Sequence, residues 1–512
     1  MKRLANKLFS KLVLGGLIII LQFSWFVYMI YSATAASSAV NIVFQIIAVA
    51  LALYVANKEM RTSYKMSWIF LILFLPLFGC PAYFIFGRSG LTKRTRQKME
   101  EVSRKMLDYR QNHTNTLDEL RDEDFYAYQK AGYLENVTGY PLYREAESQY
   151  YHNGESLFPQ FLSDLERAEH FIFLEYFIIE EGEMFNRILE ILEKKAKEGV
   201  DVRLLYDDVG CIQTLPAKYY TVLENKGIHC ARFNPFRPFL SVIMNNRDHR
   251  KITVIDGKIA YTGGFNLADE YINAKEKFGY WKDAGIRLTG GCVWSFTRMF
   301  LEMWDFIRGE EDDYAFYQRA SLPKEPHMQD AGYVQPYSDS PLDHEDVGEN
   351  VYLHLIEHAK KYVYIFTPYL IIGSEMKTAL VNAAKCGVDV RIVVPAVPDK
   401  KLVYLLTQSN FAPLIKCGVK IYQYTPGFIH SKCFVVDDVH ATVGTVNLDY
   451  RSFYLHFECG TYMYRAKAVM QVKQDMLQTF EKSHEVTLEE CQSKWLLVRM
   501  FMGALKLFAP LL

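Results

Sequence analysis

Acidic residues are almost missing from the first 98 positions of this 512-residue chain: Glu59 stands alone against twelve lysines and arginines. The rest of the chain reverses the balance, with 46 basic and 58 acidic side chains, a net of −12. A body without a basic excess does not neutralise a phosphate backbone, so no nucleic-acid partner is expected. Nine cysteines are scattered, with no Cys-x-x-Cys pair and no Cys/His cluster at zinc spacing. They read as reduced, mostly buried thiols rather than a disulfide framework. No Gly-x4-Gly-Lys-Ser/Thr nucleotide loop occurs. Half the residues are hydrophobic and 15% are aromatic. That excludes disordered and collagen-like classes and supplies core for roughly two to four domains.

What is present begins with three apolar stretches, about Leu12–Tyr31, Ala39–Ala56 and Met66–Gly87. Each is near the length that crosses a hydrocarbon core of about 30 Å. A cleaved signal peptide fits poorly, because the first stretch is long and a second follows. Basic residues flank the first stretch at Lys2–Lys11, follow the second at Lys58–Lys65 and follow the third at Arg88–Lys98. The positive-inside rule puts all three flanks in the cytoplasm. Two spans then satisfy the first two flanks, and the third stretch leaves and returns on one side, broken at its Pro76-x-x-Gly79-x-Pro81 centre. Three full spans, with the body outside, are the alternative. Eight thiols in the body favour the cytoplasmic placement.

Beyond a charged, tyrosine-rich segment at 99–149, one pattern occurs twice. Phe171–Ile179 reads as a buried strand, Phe185–Glu198 as an amphipathic helix and Val200–Tyr206 as the next strand. Tyr362–Leu370, Met376–Lys385 and Gly387–Val394 repeat the series, and Gly-Val-Asp-Val-Arg stands at both 199–203 and 387–391. Strand–helix–strand alternation predicts an α/β sheet with parallel pairs. The acidic, proline-bearing segment Glu310–Asp346 reads as a linker.

Each copy ends alike. His249-x-Lys251-x4-Asp256 is followed by Gly263 and Asn266, and His430-x-Lys432-x4-Asp437 by Gly444 and Asn447, at identical offsets. Composition predicts roughly 0.04 chance occurrences of one such His-x-Lys-x4-Asp string. On a strand, His and Lys two apart share a face, and Asp256-Gly257 suits a tight turn that brings Asn266 back toward it. Two copies packed together supply two imidazoles, two ammoniums and two carboxamides around one cleft. That is a site for a phosphate diester. The Lys and Asn pairs stabilise non-bridging oxygens, one His attacks phosphorus and the other protonates the leaving alcohol. No metal and no cofactor is required by this set.

With those residues the sequence resembles the phospholipase D superfamily, whose signature is the duplicated His-x-Lys-x4-Asp motif, and within it the bacterial cardiolipin synthases. The likeness extends through Asp256-Gly257-Lys258, Gly263-Gly264-Phe265-Asn266, Gly444-Thr445-Val446-Asn447-Leu448-Asp449, Arg451-Ser452-Phe453 and the terminal Pro510-Leu511-Leu512. It implies two tandem α/β/α sandwich repeats packed face to face behind N-terminal transmembrane helices. It implies transfer of a phosphatidyl group from one phosphatidylglycerol to another at a bacterial cell membrane, through a phosphohistidine. His249 is then the nucleophile and His430 the acid and base, an order that sequence does not decide. In similar proteins a carboxylate 25–35 residues after each His orients its ring, a place held here by Asp283 and Glu458. Asp256 and Asp437 belong to the catalytic motif but read as structural, bonding neighbouring loops. One departure stands before Phe457-Glu458, where His456 replaces the usual Asn.

The expected division is 1–98 membrane segments, 99–149 linker, 150–310 first repeat, 311–346 linker, 347–494 second repeat and 495–512 an amphipathic tail. A hydrolytic phospholipase D is the competing enzyme and a scaffold with a decayed site the competing non-enzyme.

Overall fold

The twice-written Gly-Val-Asp-Val-Arg string lands on equivalent strands of two matching sheets. The computed structural model describes residue 24 and residues 35–87, 93–110, 114–144, 146–235, 246–321, 332–343 and 345–511. The chain divides into a small helical unit and a large body.

In the body's first half the strands are β1 (Ala146–Tyr151), β2 (Phe171–Tyr176), β3 (Asp201–Asp207), β4 (His229–Phe233), β5 (Arg247–Asp248), β6 (Lys251–Ile255), β7 (Ile259–Gly263), β8 (Tyr280–Lys282) and β9 (Gly285–Gly290). The second half has β10 (Tyr333–Asp339), β11 (Tyr362–Phe366), β12 (Leu370–Ile371), β13 (Asp389–Pro395), β14 (Lys420–Tyr424), β15 (Gly427–Ile429), β16 (Cys433–Val436), β17 (His440–Gly444), β18 (Leu448–Asp449), β19 (His456–Tyr464) and β20 (Ser483–Glu485). The first sheet runs β1-β9-β7-β6-β2-β3-β4 and the second β10-β19-β17-β16-β11-β13-β14-β20. Position for position, the first seven strands of each order correspond. β2, β3 and β4 are parallel, as are β11, β13 and β14, while β6 and β16 run against them.

Helices cover both faces. Gly154–Glu166 and Glu183–Lys197 bury Phe161, Phe185, Ile188 and Leu192 on one side of the first sheet. Val293–Arg308 lies on the other, with Phe300 stacked on Phe173 at 4.5 Å. Such double cover is why β2 and β11 read as continuous apolar runs. In the second half Val347–Glu357 and Ser374–Lys385 fill the same layer. Residues of the 99–149 segment join them: Leu120, Ala127, Ala131, Leu134 and Leu142 are buried in the second core.

β5 and β8 leave their own sheet. β5 pairs in parallel with β19, and β8 with β15. The two halves are therefore stitched by two reciprocal strand pairs, at the edge from which β6 and β16 start.

The motif aspartates sit at the far ends of those strands. Asp256 and Gly257 have φ of 52° and 64° and turn the chain from β6 into β7; Asp437 and Asp438, at 53° and 65°, do the same after β16. The Asp256 carboxylate accepts backbone N–H bonds from Glu169, His170 and Phe171 at 2.7–2.9 Å. Asp437 accepts them from Lys360, Lys361 and Tyr362 at 2.6–2.9 Å. Each thus holds the start of the neighbouring strand, β2 or β11.

In the helical unit, Ala35–Asn57 is followed by Thr62–Phe74 and Pro76–Phe86. The last two fold back on one another: Trp68 meets Tyr83 edge to face at 5.4 Å, and Gly79 lies so close to Leu71 that a Cβ would stand 2.3 Å from its carbonyl oxygen. The reversal is at Leu75, not at the Pro76–Pro81 centre expected from sequence. Pro76 keeps Leu75 out of the helical region, at φ −130° and ψ 69°, and itself suits a first helical turn, and Pro81 lies inside the second helix. With 13 and 11 residues these helices are about 20 and 16 Å long. Among the described residues no helix is long and apolar enough to cross a membrane. Apart from Ser24, the first apolar stretch lies outside them. Ile42, Ile46, Leu53, Met66, Leu73 and Phe74 are nonetheless exposed. From the tail, Leu496–Phe508 is helical, and Phe508 packs on Phe70 at 5.8 Å.

Replacing Asp256 or Asp437 by Ala orphans three backbone donors and is expected to cost about 3 kcal/mol or more. Thermal unfolding of the detergent-solubilised full chain reads this as a lowered Tm, with Asn substitutions falling between.

Candidate active site

A buried lysine at the start of a strand is unusual, and here there are two: Lys251 opens β6 and Lys432 immediately precedes its counterpart β16. Lys251 and Lys432 are each 1% exposed, and His249 and His430, two residues earlier, are 7% and 8% exposed. Each lysine donates to the carbonyl of its own histidine, Lys251 Nζ at 2.6 Å and Lys432 likewise. The bond fixes the turn into the strand and leaves two ammonium donors for other use.

The imidazoles are held across the repeats. His249 Nδ1 lies 2.9 and 3.0 Å from the two carboxylate oxygens of Glu458, and its backbone N–H donates to Phe457 O at 2.9 Å. His430 Nδ1 lies 2.7 Å from Asp283 Oδ2, and its N–H donates to Lys282 O at 2.7 Å. Sequence proximity matches Asp283 to His249 and Glu458 to His430; the structure exchanges them. The reason is the strand exchange: β5 and β15 carry each histidine against the other repeat's carboxylate-bearing strand. A carboxylate at Nδ1 keeps the proton there and leaves the Nε2 lone pair outward.

The carboxylates are supported differently. Glu458 also accepts from Ser452 Oγ at 2.6 Å and Thr445 Oγ1 at 2.5 Å. Asp283 accepts from its neighbour's N–H, Ala284, at 2.8 Å. Thr445 corresponds to Gly264, where a Cβ would sit 1.8 Å from Asp283 Oδ1. The first half-site therefore excludes any side chain at the place where the second uses one.

Burial sets the protonation states. It drives His249 well below the ordinary imidazole range, helped by the Lys251 and Lys432 ammoniums. His430 falls to about 4, through burial first and Lys432 second, against the pull of Asp283. Lys251 drops to about 8 and Lys432 to about 7, again mainly by burial and despite nearby Glu458 and Asp283. Burial alone would raise Asp283, but His430 and Lys432 outweigh it and hold it low.

The asparagines are not equivalent. Asn266 Oδ1 accepts from Ile178 N–H at 3.0 Å and Nδ2 donates to Tyr271 Oη at 2.6 Å. Asn447 N–H donates to Ser452 Oγ at 3.1 Å, and its Oδ1 has no hydrogen-bond partner among the described residues. Tyr271 and Ser452 each follow their Asn by five residues, a spacing that could have revealed both. Around the histidines stand Phe177, 5.0 Å from His249, and Tyr271 and Trp281, 5.6 and 5.4 Å from His430. Asp256 and Asp437, counted with the motif, have their carboxylates committed to the backbone described above. Among the described residues, His249, His456 and Glu458 bring three potential metal-ligand atoms within 4.8 Å of one another.

The model for the phospholipase D-like domain of cardiolipin synthase matches residues 161–280 and again 352–481, and a phospholipase D-nuclease N-terminal model matches 44–88. The cardiolipin synthase of Halalkalibacterium halodurans is 32% identical over 93% of each chain. Cardiolipin synthase 2 of Bacillus anthracis is 32% identical over 89% of this chain and 88% of its own. An uncharacterized protein of Streptococcus mutans is 45% identical over 90% of this chain and 99% of its own. A solved structure of phosphatidylserine synthase from Haemophilus influenzae superposes with a TM-score of 0.57 at 17% identity, covering 75% of this chain and 99% of that one, and shares the fold.

Gly264→Ala must displace Asp283 and with it His430. Turnover of a phosphodiester substrate is expected to fall about 100-fold while circular dichroism stays unchanged. Thr445→Ser, which keeps the hydroxyl on Glu458, is expected to retain most of the rate.

Proposed function

This chain belongs to the cardiolipin synthase family of phospholipase D-like proteins, and from that premise we propose that it transfers the phosphatidyl group of one phosphatidylglycerol to a hydroxyl of a second, releasing glycerol. The observation that carries the reading is the pair of imidazoles, one from each repeat, each held at Nδ1 by the other repeat's carboxylate. In the first step His249 Nε2 attacks phosphorus, the P–N bond forms, the P–O bond to glycerol breaks, and His430 gives its Nε2 proton to the departing oxygen. In the second step His430 takes the proton of the acceptor hydroxyl, the new P–O bond forms and the P–N bond breaks. Lys251, Lys432, Asn266 and Asn447 face the non-bridging oxygens. One phosphodiester replaces another, so no external energy source is needed.

His249 is assigned as nucleophile because two further donors, Thr445 Oγ1 and Ser452 Oγ, brace its carboxylate, Glu458. His430 must be charged for the first step, yet burial and Lys432 hold it low. An entering diester anion pairs with the lysines and returns proton affinity to the ring.

Purified full chain with phosphatidylglycerol vesicles is expected to form cardiolipin; phosphatidic acid alone would point to hydrolysis instead. With a phosphatidyl-p-nitrophenol substrate, whose leaving group needs no acid, the nitrophenolate burst should survive His430→Ala and vanish in His249→Ala. Loss in the opposite variant reverses the two roles.

The lysines act as cations, and a lowered pKa means that charge is lost as pH rises through it. kcat/KM for phosphatidylglycerol is therefore expected to steepen its fall between about pH 7 and 8, as Lys432 and then Lys251 deprotonate. A profile with no change of slope there removes the lysines from that role.

We place the body on the cytoplasmic side of a bacterial cell membrane. Support comes from the exposed apolar side chains of the helical unit, its basic flanks and the hairpin that reverses at Leu75. Protease added to sealed inverted vesicles should digest the body, and protease added to right-side-out vesicles should leave it whole.

A further inference from the structure

The half-sites can be superposed residue by residue through their exchanged strands. Trp281 stands two residues before Asp283 and pairs with Phe428, two before His430. His456 stands two before Glu458 and pairs with Arg247, two before His249. The rings confirm the match, since Trp281 lies 5.4 Å from His430 and His456 lies 5.4 Å from His249. Yet one neighbour is an indole packed against Tyr271 and Phe428 at 4.9 and 4.8 Å. The other is an imidazole.

His456 is left unsatisfied in its own surroundings. Its side chain is 10% exposed, and neither Nδ1 nor Nε2 has a hydrogen-bond partner among the described residues. Its Nδ1 is 3.8 Å from Glu458 Oε1, too far for a hydrogen bond. Burial keeps it uncharged, with its pKa down at about 3. Two unsatisfied buried nitrogens are costly unless something satisfies them.

We propose that His249, His456 and Glu458 form a binding site for a divalent transition-metal cation such as Zn²⁺, and that its occupation switches the enzyme off. Two imidazoles and one carboxylate are a transition-metal donor set. Their ligand atoms already lie within 4.8 Å of each other, and ligands at about 2.0–2.1 Å from zinc require His456 to swing inward by a fraction of that gap. The metal takes the Nδ1 lone pair of His249. The proton there moves to Nε2, and the hydrogen bond that Glu458 Oε1 accepted is replaced by a bond to the metal. With its proton on Nε2, His249 has no lone pair for phosphorus. Lys251, Lys432 and Arg451, which act on these rings electrostatically, oppose a further cation and keep the affinity modest. The His430 half-site, with Trp281 in place of His456, lacks the third ligand. The effect on turnover rests on the reading of His249 as a reacting imidazole; the metal site does not.

The test uses the full chain stripped with EDTA and then freed of it. Titration with Co²⁺ should give the visible absorption of a cation bound by nitrogen and oxygen, and His456→Asn should abolish it. Zn²⁺ should inhibit cardiolipin formation, with each variant referred to its own metal-free rate. The concentration that halves the rate should rise about 10–100-fold in His456→Asn, and His456→Gln provides the same comparison should the Asn variant misfold. An unchanged Zn²⁺ response, or an unchanged Co²⁺ spectrum, in a folded His456 variant overturns the proposal. Co²⁺ absorption in a wild-type chain that makes no cardiolipin would uphold the site and sink the proposed function instead.

Discussion

Two hydrogen bonds between histidine and carboxylate, each crossing from one repeat to the other, organise this molecule. They are buried, and their backbone companions, His249 N–H to Phe457 O and His430 N–H to Lys282 O, lie in the same two strand pairings. A buried carboxylate left without partners is expensive, and so is a buried ammonium. Glu458, Asp283, Lys251 and Lys432 are all nearly inaccessible, so each depends on the others being in place. The burial that makes the pairings obligatory also lowers both imidazoles and both lysines, which suits a site that waits for an anion.

Around that frame the duplication has been allowed to drift. Gly264 opposes Thr445, Tyr271 opposes Ser452 and Trp281 opposes His456. Each exchange changes what surrounds one histidine without moving it. The first half-site walls His430 with aromatic rings, and the second surrounds His249 with hydroxyls and a spare imidazole. A pseudo-symmetric scaffold can in this way assign unlike tasks to two identical side chains.

Much of this was legible in the sequence. His249 and Lys251, like His430 and Lys432, stand out through a period of two and a repeated offset, both local properties of a strand. The strand–helix–strand series is local too, and the helices at Glu183–Lys197 and Ser374–Lys385 begin within two residues of the expected places. The exchange of carboxylates was not legible. Asp283 follows His249 by 34 residues and Glu458 follows His430 by 28, so spacing alone favours the wrong partners. Strand pairing between repeats decides the matter, and nothing in a linear spacing encodes it. The same holds for Leu120, Ala131 and Leu134, whose segment looks like a connector because its charge hides a buried stripe. The reversal at Leu75 was misplaced because proline constrains the residue before it more than its own neighbourhood.

The order of synthesis gives the exchanged strands a further meaning. A nascent first repeat, complete through its own His, Lys and Asn, still lacks the acid that steers His249, because Glu458 is made some two hundred residues later. Until that carboxylate is made, nothing holds the His249 ring at Nδ1, and the crossed arrangement can form only when the last sheet closes.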